Sequence, residues 1–283
     1  MHTTNSAPET GHFSCSLPMF NKIYELIDWS IRSNLASILT DCPHREKLGW
    51  LEVAHLMQYA MQYRYQLDGL YGKVMGDIKD SQTPEGIVPS IAPEYVRFAD
   101  GFENSPEWGS AFIIIPWYIY KWYGDKRLLS AYYPYMKRYL DYLSTRADNY
   151  IVAYGLGDWF DLGPKHPGYS QLTSNGVTST GMYYYNATIL SQIARLLGEE
   201  KDEERFTQLA ACIRKAYNEK FYNPVSRQYD RNSQTANAIS LYFGLVEESN
   251  REIVYQNLIN DIKDRNYALT SGDIGYRYLL RVL

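Results

Sequence analysis

Thr40-Asp41-Cys42-Pro43-His44-Arg45-Glu46-Lys47-Leu48-Gly49-Trp50 brings two acids, an arginine, a glycine and an indole together in one short stretch. Before it, Phe20, Ile23, Ile27, Ile31, Leu35 and Ile38 recur at helical spacing; after it, Leu51, Ala54, Met57, Met61 and Tyr65 do the same. The stretch therefore reads as a loop between two helices, where binding and catalytic groups concentrate. Pro43 fixes its own φ and biases Cys42 away from helical geometry, and Gly49 is read as a turn before Trp50. Asp41, Arg45 and Glu46 can then converge on one small polar ligand, with Trp50 as an apolar wall. The plainer alternative is a connecting loop whose Asp41 caps the next helix and whose Arg45 and Glu46 form a surface ion pair.

The helical pattern continues outward. Ser16 is a candidate cap for the first helix, with Pro18 in its first turn, and residues 11–15 are a candidate short strand. Residues 67–78 continue or follow the helix begun at Leu51. Residues 81–107 and 150–176 are long loops; loops of that length are usually functional or disordered, and the Ile, Val and aromatic residues interleaved in 81–107 argue that it is ordered. Ala111 to Tyr123 is almost wholly apolar, so a buried helix kinked at Pro116 is expected there. Helical patterns follow near residues 128–143, 178–197, 201–220, 234–245, 250–263 and 273–282. Neither βαβ alternation nor a short repeat of the tetratricopeptide or armadillo kind is present. The expected fold class is all-α: about ten helices in succession, packed as hairpins around a centre, with the long loops gathered at one end.

The composition narrows the chemistry. A net charge of −4 without any long basic block excludes a nucleic-acid footprint and a polybasic membrane anchor as partners. The three cysteines, Cys15, Cys42 and Cys212, are odd in number and lack a CxxC, so neither a disulfide framework nor a zinc site is indicated. Met1 to Glu9 is polar, with no apolar core of a signal peptide, and leaves the compartment unread. The 28 tyrosines and 6 tryptophans are more than a core alone calls for, since each buried OH or NH needs a partner. They suit a wet cleft that stacks on flat ligands or sugar rings, although most of the tyrosines are expected at helix–helix contacts.

Three loop stretches set an indole beside a carboxylate: Asp41 to Trp50, Glu107-Trp108-Gly109, and Gly157-Asp158-Trp159-Phe160-Asp161. Sugars offer apolar C–H faces and hydroxyl edges, and such pairs match both. Trp50, Trp108, Trp159, Asp41, Arg45 and Asp158 are therefore candidate substrate-binding residues. Glycoside hydrolysis needs one carboxylic acid to protonate the leaving oxygen and a second carboxylate as base or nucleophile. Glu46, four residues before Trp50, is the best-placed acid. Nucleophile-elbow, dinucleotide, Walker and HExxH motifs are missing. Asp41, His44 and Glu46 are weak evidence for a metal.

DCPHREKLGW resembles the signature loop of bacterial α-L-rhamnosidases of glycoside hydrolase family 78. QTPEGIVPSIAPEY, SPEWGSAFIIIPW, GLGDWFDLGP and LTSGDIGYRYLLRVL continue the likeness in the family's order, from about Gly11 to Leu283. The resemblance implies an (α/α)6 six-hairpin toroid, here incomplete, with residues 16–283 as the catalytic domain and residues 1–15 as a linker or the tail of a preceding β domain. It implies an inverting hydrolysis of terminal α-L-rhamnosides that needs neither metal nor cofactor, with a rhamnose-containing glycan as partner. Glu46 matches the general acid, Asp41 and Arg45 match residues that hold rhamnose hydroxyls, and the three tryptophans match the pocket's aromatic walls. Two departures stand out. Where many members carry an acid after the Gly-Trp, this chain has Val53, preceded by Glu52. The family's general base lies beyond the last motif seen here, so it and further segments of the same enzyme are expected outside residues 1–283, and this stretch alone is expected to be inactive. Two other readings stay open: a non-catalytic rhamnose- or deoxysugar-binding toroid, and a six-hairpin hydrolase of another α-linked sugar.

Overall fold

The computed structural model describes residues 5–283. Its helices are α1 (Pro18–Asn34), α2 (Leu51–Leu56), α3 (Gln58–Gln62), α4 (Asp68–Ser81), α5 (Pro106–Gly109), α6 (Ala111–Tyr123), α7 (Arg127–Arg146), α8 (Asn175–Leu197), α9 (Glu200–Phe221), α10 (Gln234–Tyr242), α11 (Arg251–Asp264) and α12 (Asp273–Val282). Between α9 and α10, β1 (Tyr222–Asn223) and β2 (Gln228–Tyr229) form a small antiparallel hairpin, with Tyr222 opposite Tyr229. No helix among the described residues is long and apolar enough to cross a membrane.

The chain builds hairpins where a long helix is apolar along one side and closes on a turn signal, as α8 and α9 show. In α9, Phe206, Ile213, Tyr217 and Phe221 are buried. Glu200, Asp202 and Glu203 sit in its first turn and Lys220 in its last, so both ends match the helix dipole. Gly198 turns α8 into α9: it adopts φ 79°, where a side chain would be strained, and its amide closes onto the Ala194 and Arg195 carbonyls. Ser233 caps α10, its Oγ accepting from the Ala236 amide at 3.0 Å. In α6 every residue from Ala111 to Ile119 is buried, which makes this helix the centre that α2, α4, α7 and α8 pack around.

Several local expectations change. The helix expected from residue 51 to residue 65 breaks at Met57 into α2 and α3. Ser16 does not cap α1: Leu17 holds the N-cap position and no side chain closes it. Residues 11–15 form no strand. Residues 5–10 lie along the helical body, held by the Asn5 amide on the Leu35 carbonyl (2.7 Å), the Thr10 amide on Arg64 (2.8 Å) and the Gln66 amide on Pro8 (2.9 Å). Glu9 adds ion pairs to Arg32 and Arg64. Residues 1–4 of the expected linker lie outside the described residues.

Candidate active site

The Asp41–Trp50 loop is held by its own backbone and by a neighbour. The Lys47 amide donates to the Cys42 carbonyl at 3.0 Å, with Lys47 at φ 58°, which folds the loop back on itself. Residues 90–92 then run against Gly49 to Leu51: Ala92 donates to Gly49 (3.0 Å) and Leu51 to Ser90 (2.9 Å). A Cβ on Gly49 would stand 2.5 Å from the Ala92 carbonyl oxygen, so glycine is needed here for close approach rather than for a turn.

This backbone aims Asp41, Arg45, Glu46 and Trp50 at one cleft of ≈ 1260 Å³, which Trp108 from α5 and Trp159 also line. Trp50 Nε1 donates to Glu46 Oε2 at 2.9 Å, and Arg45 donates to Glu46 Oε1 at 2.8 Å. The acid thus sits on the edge of its indole. Trp50 stacks on Phe98 at 5.1 Å and meets Phe102 edge-on at 6.1 Å, Phe102 bridges edge-on to Trp159 at 5.2 Å, and Trp159 meets Tyr169 at 5.6 Å, giving an aromatic wall continuous across three loops. Asp41 is partly desolvated and lies near Glu46, both of which raise its carboxyl above the ordinary range, and its Oδ1 has no hydrogen-bond partner. The Trp108 indole is buried, yet its Nε1 is also unpartnered. Buried polar atoms are almost always paired, so these two unpaired atoms on the lining of one cleft are left with hydrogen-bonding capacity that the described residues do not use.

Asp158 behaves differently from its tryptophan neighbour. It is fully buried and does not line the cleft; its Oδ2 accepts from Gly272 N (2.9 Å) and the Thr235 hydroxyl, and its Oδ1 from Gly275 N (2.7 Å). With both oxygens taken by protein donors, it is a strut under the Trp159 loop rather than a substrate contact. Glu107 is likewise turned inward, onto Ser105 (2.7 Å), Ser179 (3.0 Å) and Thr178. Groups that sequence reasoning left out also line the cleft: Phe102, Asp273, Tyr276 and Arg277, together with Glu52, whose part it left open. Only the fold brings α12 there, so spacing alone carried no signal for those on it. Asp41, Cys42 and Glu46 each offer a ligand atom within 4.8 Å of the others, with Asp41 and Cys42 half-buried and an exposed Glu46 that already holds Arg45.

Residues 8–283 match the family described as the bacterial alpha-L-rhamnosidase 6 hairpin glycosidase domain. The chain belongs to that family. The six-hairpin domain is 30% identical to an alpha-L-rhamnosidase of Streptomyces avermitilis, covering 100% of this chain and 26% of the relative. It is 31% identical to one of Formosa agariphila, covering 97% and 30%. Among solved structures, alpha-L-rhamnosidase from Dictyoglumus thermophilum superposes with a TM-score of 0.91 at 35% identity, covering 99% of this chain and 32% of that one. The Streptomyces avermitilis enzyme, solved with L-rhamnose, gives 0.89 at 29% identity, covering 99% and 26%. The chain thus spans about a quarter to a third of the length of these relatives.

Proposed function

We propose that this six-hairpin domain forms the glycone site of an enzyme hydrolysing terminal α-L-rhamnosides, with Glu46 as proton donor to the departing oxygen. One observation supports this above the rest: Asp41, Arg45, Glu46, Trp50, Trp108 and Trp159, scattered over residues 41–159, line a single cleft. In this reading Trp50, Trp108 and Trp159 take the apolar sugar faces, while Asp41 Oδ1 and Trp108 Nε1 take hydroxyls. Glu46 lies at the cleft edge, where the aglycone leaves. Its contact with Trp50 fixes the carboxyl in place and its pairing with Arg45 sets its direction. Inversion also requires a second carboxylate to activate water. We assign that role to no residue of this chain.

The test is calorimetric titration of the chain with L-rhamnose, L-fucose and D-mannose, together with a panel of nitrophenyl glycosides. Selective rhamnose binding is expected, and any rhamnoside hydrolysis should fall at least about a hundredfold in Glu46→Gln, as for loss of a general acid. Full turnover in Glu46→Gln removes Glu46 from the role. A preference for another sugar favours a different six-hairpin hydrolase, for which Val53 on the cleft lining is the feature to examine.

A further inference from the structure

Glu52 is the anomaly of the cleft. It sits in the first turn of α2, retains 7% of its surface, and lines the cleft. Its Oε2 has no hydrogen-bond partner. Leaving a buried carboxyl oxygen unbonded costs stability, and among the described residues no ion pair reaches it: Arg45 is engaged with Glu46, and Arg277 donates through its Nη1 to the His55 and Leu56 carbonyls. Asp273, from the start of α12, and Asp41 both act on it, and both are acidic. A saturated acid such as Asp158 is a strut; an unsaturated one on a cleft wall is a group awaiting a ligand.

We propose, resting on the rhamnoside reading above, that Glu52 determines glycone specificity by hydrogen-bonding one ring hydroxyl of the sugar through Oε2. Burial, and then Asp273 and Asp41, push the pKa of the carboxyl well above the ordinary range, against the backbone hydrogen bonds of Glu52 and Val53, so this environment favours the protonated form over the ionised one. A carboxyl accepts from a sugar hydroxyl in either form and, when protonated, also donates to one, which suits a ligand group that does both. A cationic ligand would require the ionised form that this environment disfavours. The residue after Glu52 is the apolar Val53, which lines the same cleft.

Calorimetry with methyl α-L-rhamnoside and its monodeoxy analogues tests this in the wild type, Glu52→Gln and Glu52→Leu. The leucine variant should lose about tenfold or more in affinity, and the glutamine variant, which keeps a donor and an acceptor, only a few-fold. One monodeoxy sugar should bind the wild type about tenfold more weakly than the parent yet bind Glu52→Leu equally well. A merely structural residue would not produce that coupling, and an equal deoxy penalty in both proteins overturns the proposal. Should Glu52→Leu fail to melt cooperatively, the carbon-13 resonance of the Glu52 carboxyl in the unmutated protein decides: it should move with the rhamnoside and stay put with the critical deoxy sugar, and an unmoved resonance with both overturns the proposal. A wild type that binds no rhamnoside sinks the underlying reading and this one with it. Binding without coupling sinks this one alone.

Discussion

Glu107 and Asp158 each precede a cleft tryptophan by one residue, and each points away from the cleft. Consecutive side chains on a helical turn diverge by about 100°, so when Trp108 of α5 faces the cleft, Glu107 faces α8. Around Asp158 the result is a buried carboxyl whose pKa burial raises from 3.8 to about 6, against the opposing effect of the Thr235, Gly272 and Gly275 hydrogen bonds. Because the folded-state value lies above the unfolded one, the stabilising contribution is full below the unfolded pKa and is lost as pH rises through the folded one. Asp158→Asn removes this dependence. Chemical denaturation of both proteins should show the wild type's advantage over Asp158→Asn shrinking by about 3 kcal/mol between pH 3.8 and about 6. A constant difference across that window would mean the carboxyl is already ionised where it is buried. Asp158→Ala, which strands buried donors, should cost about 3 kcal/mol near pH 7 by the same measurement.

The elements that meet at the cleft are joined by backbone approaches that allow no side chain. A Cβ on Gly272 would lie 2.2 Å from the Trp159 carbonyl oxygen, where the Asp273 amide bonds that same oxygen at 2.8 Å. Gly272→Ala must push α12 off the Trp159 loop; it is expected to destabilise the domain by about 1–3 kcal/mol in urea and to weaken rhamnose binding. Unchanged stability would show that the junction is pliable. On α2, buried His55 bonds the Glu107 carbonyl, and burial with Arg277 nearby pushes its pKa from 6.5 down to about 3. The imidazole is therefore neutral in the fold, and its contribution is lost as pH falls from 6.5 towards 3. His55→Gln should flatten the acid limb of the stability profile relative to wild type, and an identical limb would exclude His55 as its source. At this scale the sequence reading succeeded where the signal was long, as in the apolar run of α6 and the periodicity of α7. It failed at short-range geometry: the break at Met57, the uncapped start of α1, and Gly49, a glycine whose reason is Ala92. The cleft's loop residues were legible because a signature stretch and three tryptophans announce them. Asp273 and Arg277 were not, because packing of α12 against α10 and α2 decides where they stand.

Over the whole molecule, one surface does not match the rest. Most of the long helices bury one face into a common core, whereas α1 buries only Ile31. Met19, Phe20, Ile23, Leu26 and Ile27 all stay exposed on it. At the far edge of the same cleft, Tyr276 and Leu280 of α12 are exposed as well. Contiguous apolar surface of several hundred Å² drives association in water, and each buried side chain of this size contributes about 1.5–3 kcal/mol. The chain studied alone should therefore self-associate, with a light-scattering mass that rises with concentration. Replacing Ile23 and Leu26 by glutamate should return it towards the monomer mass without lowering its melting temperature, because neither side chain is buried in the core. Rhamnose binding should survive that double change, since neither residue lines the cleft. A wild-type chain that stays monomeric across the concentration series would show that the exposed face of α1 is satisfied by water alone.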